Sequence, residues 1–210
     1  MKSNSEIKNT ITRTQQARRA DIIAAAITVI NRDGYAGASV QKIADEALAS
    51  KSTVLYHFKS RSAIDKAIIG TVFEDGVAYM TSFIMQAQTY QEKLKAYLTS
   101  NIQFIANNVE AIAAVHEIER NTSRRHFDDS TPLTQNEAPT HWLATMLSEG
   151  QKTKEFGAFD PQLLAAAVRL VIDSSSYYIL LHPSLDVSHY IAEIIQLFMR
   201  ATASSIRKEE

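Results

Sequence analysis

Ser39-Val40-Gln41-Lys42-Ile43-Ala44-Asp45-Glu46-Ala47-Leu48-Ala49-Ser50-Lys51-Ser52-Thr53-Val54-Leu55-Tyr56-His57-Phe58-Lys59-Ser60-Arg61 reads as two short helices joined by a tight turn. Val40, Ile43, Ala44 and Ala47 recur at helical spacing and give the first helix one apolar face. Ser50 is an N-cap residue type placed where the second helix should begin. Val54, Leu55 and Phe58 then pack that helix back on its neighbours. Its leading edge, Ser50, Lys51, Ser52 and Thr53, is polar and hydroxyl-rich. In helix-turn-helix proteins this end of the second helix enters the major groove. Tyr56, His57, Lys59 and Arg61 follow as phosphate-seeking groups, and Gln41 and Lys42 near the start of the preceding helix are candidates for the same role. Arg18 and Arg19, further upstream, suit phosphate contact or plain solvation equally.

Charge supports a nucleic-acid footprint confined to one end. The 210-residue chain carries a net charge of −1, but residues 1–66 hold 11 Lys/Arg against 6 Asp/Glu, a net +5. Residues 67–210 hold 11 against 17, a net −6. A basic N-terminal part and an acidic remainder are expected to form two domains, 1–66 with a polar tail over 1–15, and 67–210. The absence of Cys leaves no disulfide framework and no thiolate metal site, which fits a reducing, cytoplasmic setting. No run approaches about 18 consecutive apolar residues and the N-terminus has no hydrophobic signal region, so no membrane partner is expected.

Outward from the opening stretch the pattern stays helical. Ala17–Arg32 has Ile22, Ile23, Ala26, Ile27 and Ile30 on one side and ends at Asp33-Gly34. Ser60 is placed to cap a long fourth helix through Ile64, Ile68, Val72 and Val77, with Gly70 and Gly76 inside it. Gln91–Asn107 and Val109–Phe127 follow as helices, and Asp128–Pro139 reads as a loop between Pro132 and Pro139. His141–Lys154 is the next helix. Asp160-Pro161 pairs an N-cap with proline at the first helical position and starts a helix through Leu181, which His182-Pro183 ends. Asp186 caps a last helix from Val187 to about Arg207. With no alternating segments, the expected class is all-α, about nine helices.

The opening motif resembles the TetR/AcrR family of transcriptional regulators over residues 17–66. The elements that carry the likeness are a first helix ending at Gly34-Tyr35, then Ala38-Ser39-Val40-Gln41-Lys42-Ile43-Ala44, Ala47, Ser50-Lys51, Thr53 and Tyr56-His57-Phe58-Lys59-Ser60-Arg61, running on into Ala63-Ile64. The chain departs from the family pattern with Leu48 at the usual turn glycine, Ser52 for a common glycine, Leu55 for a frequent tyrosine and Arg61 for lysine. A non-glycine residue held left-handed at position 48 costs on the order of 1–2 kcal/mol. The resemblance implies a homodimeric repressor that binds a roughly palindromic double-stranded operator and is released by a small-molecule effector. An activator whose ligand strengthens DNA binding, and a helical carrier or enzyme with a vestigial head, are the alternatives. It also implies that the last two helices form a dimer seam, with Val168, Val171, Ile172, Ile179, Ile191, Ile195 and Phe198 as its expected members.

The remaining chemistry is sparse. His116-Glu117-Ile118-Glu119-Arg120 lacks the second histidine that a zinc helix needs at position 120. No phosphate loop, nucleophile elbow or carboxylate pair is present, so neither an enzyme nor a cofactor is expected. Tyr79, Met80, Phe83, Met85, Phe104, Trp142, Met146, Tyr177 and Tyr178 supply either ordinary core or the apolar wall of a ligand cavity. Candidate ligand-binding residues are His116, Glu119, Arg120, Trp142, Asp173 and Tyr177. A double change, Tyr56→Ala with Arg61→Ala, is expected to abolish DNA binding at little cost in stability.

Overall fold

The structure is a computed structural model that describes residues 12–122 and 134–204, with the side chains of 134–138 left aside. Among the described residues the secondary structure is helical throughout, as expected. They fall into two compact units divided between Gly70 and Thr71.

In the first unit α1 (Arg13–Gly37) starts four residues earlier than its apolar pattern suggested. Thr12 accepts from the Gln15 N–H while Gln15 reaches back to the Thr12 N–H, a reciprocal cap that outweighs the polarity of residues 13–15. Gly34, at φ 72°, breaks the helix where glycine alone is at ease, so Asp33-Gly34 does act as a stop, and the turn that follows runs to Gly37. α2 (Val40–Glu46) is capped by Ser39 and α3 (Lys51–His57) by Ser50. Ile22, Ala26, Ile30, Ile43, Ala44 and Val54 are buried where α1, α2 and α3 meet. The first turns of α4 (Arg61–Ile84) add Ile64 and Ile68, with Ser60 Oγ accepting from the Ala63 N–H at 3.2 Å.

In the second unit α5 (Tyr90–Asn107) is the centre. It packs against α6 (Val109–Thr122), α7 (Thr134–Lys152), α8 (Pro161–Leu181) and α9 (Val187–Thr202). Leu94, Leu98, Ile102, Leu143, Leu147 and Ile172 are buried at its core. Several expected boundaries move. α7 begins at Thr134, so 134–139 is helix rather than loop and Pro139 lies inside it. The proline sits just past the first turn, where its missing N–H removes a single backbone bond without stopping the helix. Residues 123–127, expected to continue α6, and the expected loop residues 128–133 lie outside the described residues. α9 ends at Thr202 rather than near Arg207. There the Thr202 carbonyl accepts from the Gly157 N–H at 2.9 Å, an approach that a Cβ at Gly157, 2.5 Å from the Ala203 oxygen, would block.

Arg61–Ile84 and Pro161–Leu181 are long and apolar enough to cross a membrane by length and composition, with mean hydropathy 1.2 and 1.4 over 18 residues. In α8 that apolar surface is interrupted by Arg169 and Asp173, paired with each other, with Arg169 also bonded to α5.

Candidate nucleic-acid interface and effector site

α2, the turn and α3 owe their geometry to one backbone motif. The Ala49 N–H bonds the Ala44 carbonyl at 2.9 Å and the Leu48 N–H bonds Asp45 at 3.2 Å, while Leu48 itself adopts φ 48°. This is the Schellman closure of a helix, which favours glycine at the left-handed position. Leucine keeps the glycine geometry there with its side chain 91% exposed, so the turn is strained rather than reshaped. Arg18 braces it, donating to the carbonyls of Ala47 at 3.3 Å and Leu48 at 3.2 Å. The next residue holds the far end of α3. Arg19 donates to the His57 carbonyl at 2.6 Å and lies 4.1 Å from the Phe58 ring centroid. Two adjacent arginines of α1 thus bracket α3, a role their sequence environment did not reveal because their partners are backbone carbonyls 29 to 38 residues away.

Ser50 caps α3 through the Thr53 N–H at 3.0 Å, and its hydroxyl also meets those of Ser52 and Thr53 at 2.8 Å each. Lys51, Ser52 and Tyr56 stand exposed, and Lys59 reaches over the Tyr56 ring. His57 is half-buried and packs edge-on against Tyr56. The two candidates on α2 are already engaged. Gln41 donates to Asp45 at 2.8 Å, and Lys42 pairs with Asp33 at 2.8 Å. Hydrogen bonds from Lys42 and Arg32 hold the Asp33 carboxyl below its ordinary range.

Arg61 is the clear correction. Its Nε donates to Asp65 at 2.8 Å, its guanidinium lies 4.8 Å from the Tyr35 ring centroid, and Tyr35 Oη donates to the other Asp65 oxygen at 3.0 Å. Asp65 is buried, and Arg61 Nη2 is buried with no partner in the structure. The guanidinium points into the unit, because a buried carboxylate needs a charged partner more than the surface needs another cation. The double change expected to spare stability therefore removes a structural ion pair.

In the second unit the six ligand candidates fall along one chain of contacts. Trp142 stacks on Tyr97 at 5.5 Å, and Tyr97 Oη accepts from Arg169 at 3.2 Å. Arg169 also donates to Asn101 at 3.2 Å and to Asp173. Across from Asp173, His116 meets Ser176 at 3.1 Å and Glu119 at 3.8 Å, and stacks on Tyr177 at 5.4 Å. Arg120 pairs with Glu117 at 2.6 Å and lies over the Tyr177 ring, 6.0 Å from its centroid. Burial pushes the Asp173 and Tyr97 acid groups above their ordinary values, against the pull of Arg169. Arg169 Nε is buried without a partner, and neither Arg169 nor Tyr97 was singled out from the sequence. An isolated arginine in an apolar helix was the available signal.

The expected dimer residues divide. Val168, Ile172, Ile191 and Phe198 are buried within the chain's own core and are not available to a second copy. Val171, Ile179 and Ile195 are half-buried against that core. The large apolar side chains that α8 exposes are instead Leu163, Leu170, Tyr177, Tyr178, Leu180 and Leu181, with Leu197 on α9. The apolar pattern of both helices covers more than one face, and spacing alone did not say which face the subunit keeps.

Residues 22–68 match the family model described as bacterial regulatory proteins, tetR family. No curated protein matches the chain. Among solved structures, a regulatory protein in the tetR family from Rhodococcus RHA1 is 19% identical, with 90% of this chain and 98% of that chain covered at a TM-score of 0.73. AibR in complex with isovaleryl coenzyme A and operator DNA is 16% identical over 86% of this chain and 97% of that one, TM-score 0.73. The fatty acid degradation regulator FadR from Bacillus halodurans is 18% identical over 90% and 96%, TM-score 0.68. At these identities the structural likeness speaks for the fold, and the match over 22–68 speaks for the head. Residues 22–68 thus resemble the N-terminal domain of the tetR family of bacterial regulatory proteins, and the chain as a whole shares the fold of these solved regulators.

Proposed function

We propose that this chain is a ligand-responsive transcriptional regulator, most simply a repressor, that binds a two-fold operator as a homodimer. The observation that carries the reading is α3: a capped helix whose leading residues Lys51 and Ser52 stand exposed, inside the segment that matches the family. Lys51, Ser52 and Thr53 take base edges and phosphates. Tyr56, His57 and Lys59 take the backbone, with Gln41 and Lys42 available once Asp45 and Asp33 release them. Arg18 and Arg19 hold the reading helix in place, while Arg61 ties α4 to the end of α1 through Asp65 and Tyr35. The second unit receives the effector and meets its counterpart through the exposed face of α8. α4 runs through both units and is the connection by which a ligand acts. The ligand shifts DNA affinity only by its differential affinity for the two states. That AibR was solved with both a ligand and operator DNA supports the combination.

Selection of binding sites from random duplexes by the purified chain tests this. Enriched inverted repeats are expected. A folded chain that selects no duplex sequence would return the head to a vestigial role and favour a carrier or enzyme.

A further inference from the structure

In the second unit, the end of α4, the start of α5 and one face of α7 line an open cleft of about 440 Å³. Ile84, Met85, Tyr90, Trp142 and Met146 make it largely apolar, and Lys93 is its one charged lining residue. The volume falls in the range of small-molecule sites, roughly 300–1,000 Å³. Two of the wall residues are large apolar groups left in water, Met85 at 77% exposure and Trp142 at 41%. Exposed apolar surface of this kind, with an adaptable methionine at its edge, is characteristic of a place something binds.

Lys93 decides what that something is. Its ammonium lies 4.6 Å from the Tyr90 ring centroid and makes no ion pair among the described residues. Among the described residues, the acids on the two helices that flank it are committed to other partners. Glu92 closes the α5 cap, accepting from the Gln88 and Thr89 N–H groups at 2.8 and 3.1 Å. Glu149, on the same helix as Trp142, is held by Lys152 at 2.7 Å. In a unit whose sequence carries net −6, the cleft therefore presents a free cation beside apolar walls. The walls are also fixed in advance. Gln91 ties the start of α5 to Glu155 through bonds of 3.2 and 2.9 Å, and Gly150 leaves room for Phe156 and Tyr90, since a Cβ there would sit 3.0 Å from Tyr90 Cβ.

The geometry points to a binding site for a small amphipathic monoanion, an apolar body bearing one carboxylate, with Lys93 as its counter-ion and Tyr90, Trp142 and Met146 as its apolar bed. This names the class of effector for the regulator proposed above and rests on that reading only for its consequence on DNA. The cleft is linked inward, because Trp142 stacks on Tyr97, which Arg169 of α8 holds by hydrogen bond.

The chain has a single tryptophan, so its emission reports this cleft alone. Titrating the full chain with decanoate, below its micelle concentration, should shift Trp142 emission saturably. Decanol and decyltrimethylammonium should bind at least about tenfold more weakly, the loss expected for one charge-assisted contact. Lys93→Met should weaken decanoate by a similar factor and leave decanol unchanged, with helicity by circular dichroism as the folding control. Calorimetry with the same probes covers a ligand that leaves the emission untouched. Equal affinity for the acid and the alcohol, an unaltered decanoate affinity in Lys93→Met, or no heat and no emission change would each overturn the assignment. A saturable site in a chain that selects no DNA would leave the cleft standing and remove the regulator. Decanoate that binds without altering a selected operator complex would remove its effector role.

Discussion

Single side chains in the head carry opposite roles despite similar chemistry. Arg61 and Lys51 are both cations at the two ends of the α3 region, yet Arg61 is spent on buried Asp65 while Lys51 stands exposed. Arg61→Ala should cost about 2–3 kcal/mol in denaturant unfolding by leaving that carboxylate with only Tyr35, whereas Tyr56→Ala should change stability little. In DNA binding the two arginine clamps separate from the lysine by salt dependence. Lys51→Ala should lower affinity and reduce the log–log salt slope by about 1, as one phosphate contact is lost. Arg19→Ala should lower affinity with the slope unchanged, because its guanidinium is committed to the His57 carbonyl. Position 48 offers a gain. Leu48→Gly relieves a left-handed leucine worth about 1–2 kcal/mol and loses part of that to the freer unfolded chain, so a net gain of about 0.5 kcal/mol should appear as a raised midpoint.

Helix ends were the most legible elements, since capping chemistry is local. Ser50, Ser60, Asp160 and Asp186 all cap where their residue types and following patterns placed them. The caps that the apolar pattern did not reveal are Thr12 with Gln15, Ser39, and Thr89 with Glu92. Glu92 makes a measurable prediction. Backbone N–H bonds from Gln88 and Thr89 hold its carboxyl below the ordinary range. A carboxyl depressed in the folded state adds stability above its unfolded value and loses it as pH falls through the folded one. Stability should therefore decline on acidification below about 4.5, the ordinary value, and Glu92→Gln should flatten that part of the curve when thermal midpoints are compared across pH. Ends set by tertiary contact were not legible. α9 stops where Gly157 takes the Thr202 carbonyl, and Pro139 sits inside α7.

At the scale of the whole molecule, the proposed dimer turns on which face of α8 stays outside. Leu163, Leu170, Tyr177 and Leu181 recur at spacings of seven and four, one stripe of an exposed helix face. Leu170, 68% exposed, can be charged without opening the subunit core. Leu170→Glu should yield a folded monomer in sedimentation equilibrium. Val168→Ala should instead destabilise each subunit, by about 1–2 kcal/mol for the buried methyl groups lost, and leave association intact. Association unaffected by Leu170→Glu would place the seam elsewhere.

Periodicity, caps and breakers are properties of neighbouring residues, so the order of the helices and the helix-turn-helix pattern follow from the chain alone, whereas the glycine-like turn at Leu48 is decided by the fold. Which cations are free, which apolar face is hidden and where a cleft opens depend on partners tens of residues distant. Arg18 and Arg19 find carbonyls of the turn after α2 and of α3, Arg61 finds Asp65 and Tyr35, and Lys93 lies over the Tyr90 ring without an ion pair among the described residues. Only packing makes those choices, because the energy of a charge or a methyl group is set by what surrounds it in space and not by what precedes it in sequence.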